Sequence, residues 1–174
     1  MTVIRKVKIP AGVKAETAGA VLRVKGPKGE LERNFRFPQI KVELTDNEVI
    51  ISTESGRKSI VAMVGTYAAH TKNMFKGVTT GFEYRMKVVY SHFPIQLKLQ
   101  GNRLEINNFL GEKKARYASI ADGVIAKVGN DEVVLSGINK ELVGMSFANI
   151  EHATKVRNRD PRIFQDGIYL VQKV

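Results

Sequence analysis

Three histidines, His70, His92 and His152, are the first candidates for chemistry in this sequence, because imidazole is both a common metal ligand and the usual general base near neutral pH. A zinc site needs a third or fourth ligand, and the surrounding carboxylates stand at no recognisable ligand spacing. The chain has no cysteine, which excludes thiolate zinc sites, iron–sulfur clusters, disulfides and thiol nucleophiles. Glu151 and His152 are neighbours, with Asp160 and Asp166 downstream, and a hydrolase using them as an acid/base set is one reading. Against it, no serine sits in a nucleophile elbow, no G-x-x-x-x-G-K-[ST] loop cradles a nucleotide, and no G-x-G-x-x-G opens a helix. The chain reads as a non-enzyme, with neither metal nor cofactor.

The stretch GPKG at 26–29 has the G-x-x-G spacing of a KH loop, which clamps nucleic-acid backbone between two helices. Strand-like runs flank it here, so Pro27 and Gly29 predict a tight β-turn, with Lys25 and Lys28 in reach of phosphate.

The residues most suited to binding lie at the end, in KVRNRDPRIFQDGIYLVQKV. Lys155, Arg157, Arg159, Arg162 and Lys173 face only two carboxylates, Asp160 and Asp166. A guanidinium fork holds phosphate through two hydrogen bonds and stacks on unpaired bases, so arginines on an arm suit folded RNA. Pro161 breaks a helix, and the segment before Ile163 has little to bury, so the arm is expected to run extended over the surface. Ile163, Phe164, Ile168, Tyr169, Leu170 and Val171 then give it a way to dock, with Gly167 expected to supply a turn just before the docking strand. Further cations gather at Lys72, Lys76, Arg85 and Lys87, and in GEKKARY at Lys113, Lys114 and Arg116. Lys72 and Lys76 have an ordinary alternative role, since cations favour a helix C-terminus.

The whole chain supports this emphasis. Its 28 Lys and Arg outnumber 17 Asp and Glu, for a net charge of +11, which points to a polyanionic partner. No run approaches the roughly 20 apolar residues needed to cross a bilayer, and the start lacks the apolar stretch of a signal peptide. A cytoplasmic protein without membrane contact is expected.

The elements that must carry these residues come in two copies. DNEVIISTESGRKSIVAMVGTYAAHTK (46–72) and NDEVVLSGINKELVGMSFANIEHATK (130–155) repeat one order of features, an acidic turn, a β-branched strand and a helix. The offset is 84 residues through the strand and 82 through the helix, so two residues are lost in the turn between them. Ile60, Val64, Tyr67, Ala68, Thr71 and Phe75 share one helical face, and Leu142, Ser146, Ile150 and Ala153 the other. His70 and His152 correspond across the repeat, each seven residues after a methionine, Met63 or Met145, which suits packing at a helix flank. Upstream, AVLRVK, ELERNFR and IKVEL alternate as strands, as do IQLKL, RLEINN and GVIAKV in the second half. The fold class is therefore α+β: two similar domains from an internal duplication, residues 1–82 and 83–174, each a mostly antiparallel sheet packed on a helix, the second ending in the basic arm.

The repeat, the middle stretch NMFKGVTTGFEYRMKVVY, GINKELVGMSFANIE and the ending RDPRIFQDGIYLV together resemble the large ribosomal subunit protein six family over nearly the whole chain. The spacing of Arg162, Phe164, Asp166, Gly167, Ile168 and Tyr169 is similar to its archaeal and eukaryotic branch. The resemblance implies a non-enzymatic constituent of the large ribosomal subunit. It also implies contact with large-subunit rRNA beside the sarcin–ricin loop and the stalk base, near neighbouring ribosomal proteins and the docking place of translation factors. It implies that the second domain and its arm make the main rRNA contacts. The alternative is a free-standing module for single-stranded nucleic acid, which would need aromatic stacking platforms; 7% aromatics and no tryptophan weigh against that.

Overall fold

The computed structural model describes residues 2–45, 47–91, 93–160 and 162–173. The chain divides into two compact units, Met1–Gly81 and Phe82–Val174.

In the first unit the strands are β1 (Val3–Lys8), β2 (Lys14–Ala18), β3 (Val21–Gly26), β4 (Gly29–Asn34), β5 (Lys41–Thr45) and β6 (Glu48–Thr53), followed by helix α1 (Lys58–Thr79). Two antiparallel three-stranded sheets form, in the orders β1-β6-β5 and β2-β3-β4. The period-two pattern drives them inward: Leu22 and Val24 of β3 and Val49 and Ile51 of β6 are fully buried, while their neighbours along each strand are less so. Helix α1 buries Ile60, Val64, Tyr67, Ala68, Thr71 and Phe75, the face its 3.6-residue spacing predicts, and the ring of Tyr67 lies 4.7 Å from that of Phe35.

GPKG makes a two-residue turn between β3 and β4, as the flanking alternation predicts, with Gly26 paired to Gly29. A Cβ on Gly26 would stand 2.8 Å from the Val78 side chain and carbonyl, so the turn packs tightly on the end of α1. The amide of Lys28 donates to the Val78 carbonyl (3.0 Å) and its ammonium to that of Thr80. Lys28 thus closes the helix end.

The second unit contains β7 (Phe82–Val89), β8 (Gln96–Gln100), β9 (Arg103–Asn107), a 3₁₀ turn (Phe109–Gly111), β10 (Arg116–Ser119), β11 (Val124–Val128), β12 (Glu132–Gly137), α2 (Lys140–Ala153) and β13 (Gly167–Lys173). Its sheets are β11-β12-β7-β13 and β10-β9-β8. Sheet order therefore repeats, with β11-β12-β7 answering β5-β6-β1 and β13 added at the far edge of β7. Both offsets hold: β6 and β12 begin at Glu48 and Glu132, α1 and α2 at Lys58 and Lys140. Asn139 caps α2, its side chain accepting from the Glu141 amide at 2.9 Å. Ser146 and Ile150 of α2 are buried as expected, Leu142 and Ala153 are half-buried, and Val143, absent from the expected face, is fully buried.

Each unit holds two sheets, where the sequence led us to expect one. The alternation of VIRKVK is masked by Arg5 on the inward side of β1, and KAETA in β2 carries no apolar stripe, so neither announces itself. Strand β10, hidden in the basic run GEKKARY, buries only Ala118.

The helices diverge at their C-terminal ends. Helix α1 has 22 residues and α2 has 14. At the 82-residue offset, Phe75 and Val78, both buried in α1, correspond to Arg157 and Asp160. Without apolar residues to bury, the second helix stops at Thr154 and the chain becomes the arm.

Candidate nucleic-acid interface

The arm begins where α2 ends, and one side chain fixes that start. Arg116, on β10, donates from Nη1 to the carbonyl oxygens of Ala153 (2.9 Å) and Lys155 (3.1 Å). Its Nε and Nη2 bond the two carboxylate oxygens of Glu112 at 2.8 and 2.6 Å, and its guanidinium carbon lies 4.2 Å from the centre of the Phe109 ring. This bidentate pair holds the Glu112 carboxyl below its usual range, chiefly through the hydrogen bond from Arg116. Arg116 has its donors turned inward, binding the carbonyls that a helix terminus leaves unpaired.

The far end is fixed by pairing. Strand β13 runs antiparallel to β7, placing Gly167 opposite Val89 and Tyr169 opposite Lys87. Ile168 is fully buried, and its amide donates to the hydroxyl oxygen of Thr154 (3.2 Å), which joins both ends of the arm. Asp166 is buried at the last bend, where Oδ1 accepts from the Ser91 amide at 2.9 Å and Oδ2 has no partner among the described residues.

Between these anchors the arm bends, so the expected extended path is corrected. Asn158 takes a left-handed conformation (φ 59°), which asparagine tolerates better than most residues. A turn follows, in which the amides of Ile163 and Phe164 donate to the Asp160 carbonyl (3.1 and 3.0 Å). The break expected at Pro161 lies outside the described residues. Gly167 also plays a different part from the turn residue predicted: it lacks a positive φ, and a Cβ there would stand 2.9 Å from the Tyr169 ring. Its open side lies beneath the end of the exposed Tyr169 side chain.

The twelve predicted cations fall into distinct settings. Lys155, Arg157 and Arg159 are exposed along the arm, and Arg159 lies 4.8 Å from the centre of the Phe164 ring. Lys113 and Lys114 are exposed in the loop between Glu112 and Arg116, so that loop is tied to the start of the arm. Arg162 is exposed and paired with Asp160 through Nε (3.2 Å) and Nη2 (3.0 Å), which lowers the Asp160 carboxyl below its usual range.

Arg85 and Lys87 point to the face of the second-unit sheet opposite α2, and Arg85 is held by Glu83 at 2.7 Å, which keeps it charged to higher pH. A bulge between Leu170 and Gln172 turns Lys173 to the α2 face, with its ammonium 5.4 Å from the Tyr84 ring centre and 5.9 Å from that of Phe147. Lys72 and Lys76 are exposed on α1 of the first unit, Lys76 in its last turn.

The acid/base alternative does not assemble. Asp166 is engaged with the Ser91 amide and Asp160 with Arg162, while His152 is exposed. His70 lies 3.2 Å from the Arg33 guanidinium and is half-buried, so the two corresponding histidines do not share one packing environment. His92 lies outside the described residues. Among the described residues no cluster of three metal-ligating side chains occurs, and no helix is long and apolar enough to cross a membrane.

Sequence reasoning missed Arg103, which lies 5.1 Å from the centre of the exposed Tyr117 ring on the adjacent strand. The alternation in RLEIN, which turns Arg103 outward, was the available signal.

Two α+β units of one design, the second carrying an arginine-bearing arm tied at both ends, make a duplicated basic scaffold protein. A family model described as Ribosomal protein L6 matches it twice, over residues 9–81 and 93–167. The chain belongs to the ribosomal protein L6 family. It is 56% identical to the large ribosomal subunit protein uL6 of Methanospirillum hungatei over 173 residues, covering 99% of this chain and 98% of that one. It is 54% identical to the uL6 of Methanothrix thermoacetophila, covering 98% and 97%, and 53% identical to that of Methanosarcina mazei at the same coverage. The similarity places it in the archaeal branch. The family is structural and non-enzymatic.

Proposed function

We propose that this ribosomal protein, a structural constituent of the large subunit in the cytoplasm, lays its second-unit arm on large-subunit rRNA near the sarcin–ricin loop and the stalk base. The observation that carries the reading is the arm's double anchorage: Arg116 holds Lys155 at the start, and β13 pairs with β7 at the end. A preorganised arm loses less conformational entropy on binding than a free tail would. Lys155, Arg157 and Arg159 meet phosphate or stack on bases, and Lys113 and Lys114 extend the contact. Arg162 contributes less because Asp160 offsets its charge. Arg116 and Lys173 serve by positioning, the first at the arm's start and the second over Tyr84 and Phe147. Arg85, Lys87, Lys72 and Lys76 add long-range attraction. The location on the rRNA, with neighbouring stalk-base proteins and passing translation factors as partners, rests on the family resemblance.

The test is chemical and nuclease footprinting of purified large-subunit rRNA with the full chain and with a variant carrying Lys155→Gln, Arg157→Gln and Arg159→Gln. Localised protection near the sarcin–ricin loop that weakens in the variant is the expected result. Protection elsewhere, or no localised protection, refutes the placement.

A further inference from the structure

Strand β1 has an open edge where its counterpart in the second unit has a neighbour. In β7 the amide of Val88 donates to the Asp131 carbonyl (2.8 Å), so Val88 and Met86 bond toward β12, and Arg85 and Lys87 turn their backbone groups toward β13. Just past the end of β1 the amide of Ile9 donates to the Asn47 carbonyl (2.9 Å), which sets the same alternation. Val7 and Ile9 bond toward β6, leaving the amides and carbonyls of Ile4, Lys6 and Lys8 facing outward. Pairing through Val49 and Val133 makes Val7 the counterpart of Met86, and Lys6 and Lys8 the counterparts of Arg85 and Lys87. Among the described residues no strand pairs with that edge.

A shallow groove runs along it, floored by the buried Val7 and Phe75 with half-buried Ile9 as its accessible apolar side chain, and edged by Lys8, Lys72 and Lys6, the last 4.0 Å from Glu48. We propose that the β1 edge takes up an extended segment of a partner protein as an antiparallel strand, held chiefly by its backbone, with apolar side chains at alternate positions on the side of Ile9 and acidic ones near Lys8 and Lys72. Strand β13 shows what such an occupant supplies: Ile168 and Leu170 pack toward α2, and the backbone pairs with Lys87 and Arg85. The choice of a polypeptide follows from the edge chemistry. Phosphate would take the outward amides but be repelled by the carbonyls between them, whereas a strand satisfies both. A second copy of β1 would bring lysines opposite lysines, which is unfavourable. Lysines on an edge ordinarily guard it against self-pairing, and the same charges admit an acidic strand.

The test uses the full chain and a fluorescein-labelled synthetic peptide, Gly-Glu-Ile-Glu-Leu-Glu-Gly, read by anisotropy and by amide hydrogen exchange. Binding is expected to slow exchange at Ile4, Lys6 and Lys8. Lys6→Pro, which removes an outward amide without touching the β6 ladder, is expected to weaken the peptide by about tenfold or more. Lys72→Glu keeps the strand intact and should also weaken it several-fold, covering the case in which the proline variant fails to fold. No binding, or equal binding by both variants, overturns the proposal. Protection of the same amides by a labelled oligouridine of similar length, or by raised protein concentration alone, also overturns it, in favour of RNA or a second copy. Binding of large-subunit rRNA is a separate readout, which Lys6→Pro should leave unchanged.

Discussion

Arg116 Nη1 lies 3.1 Å from the carbonyl oxygen of Lys155, a bond spanning 39 residues that ties a β-strand to the first residue of the arm. The same side chain holds Ala153, Glu112 and the face of Phe109, so one guanidinium couples the end of α2, the basic loop and the arm. Arg116→Ala is expected to lower stability by about 1–3 kcal/mol, since hydrogen bonds to a charged group disappear and carbonyls are left unpaired. Urea unfolding measures the loss, and amide exchange in residues 155–160 should accelerate. Arg116→Lys should not restore the arm, because an ammonium cannot reproduce the planar fork.

The Arg116–Glu112 pair makes the arm acid-sensitive in a defined direction. A carboxyl whose folded pKa lies below its unfolded value contributes stability at pH above the unfolded value, about 4.3, and loses that contribution as pH falls through the lower folded value. Asp160, lowered by Arg162, shifts in the same direction. Wild type and Glu112→Gln should therefore differ in stability at pH 7 and converge as pH falls through the lowered folded value in denaturant titrations. A gap that persists at low pH would assign the difference to packing.

Gly167→Ala should cost little, about 1 kcal/mol or less, because the new methyl meets only the far end of the exposed Tyr169 side chain, which can turn aside. Thermal unfolding checks this, and a larger loss that Tyr169→Ala in the same chain relieves would mean that the ring is held in place.

Ile168→Ala should cost about 2–5 kcal/mol as a fully buried side chain in the second-unit core. A chain ending at Thr154 loses that residue together with the whole of β13, so its melting transition should fall or disappear. Charge substitution in the arm is thus the cleaner way to probe binding. Circular dichroism melts of the two variants check this.

The repeat was legible because it is carried by strongly periodic segments: the strand offset of 84 and helix offset of 82 reappear at Glu48 and Glu132, Lys58 and Lys140. What was not legible depended on long-range partners. Arg116 resembles any surface cation until β10 brings it beside the end of α2, and Lys173 resembles a tail charge until the bulge turns it over Tyr84 and Phe147. Gly167 suggested a turn because glycine permits one, yet it lies in β13 with the end of the Tyr169 side chain folded over it. Strand β1 was hidden because its inward side includes Arg5, and with it the open edge went unseen.

The central claim, that the anchored arm neutralises rRNA phosphates, is tested most directly by the salt dependence of binding to large-subunit rRNA. For 6 to 10 phosphate contacts, affinity of the full chain should fall by about 10³ to 10⁵ between 50 and 200 mM salt. With Lys155, Arg157 and Arg159 all changed to glutamine, the log–log slope should flatten by about one for each phosphate no longer neutralised, roughly two to three in all, with the fold intact. A variant that keeps the wild-type slope and affinity would contradict the account and remove the arm from the binding surface.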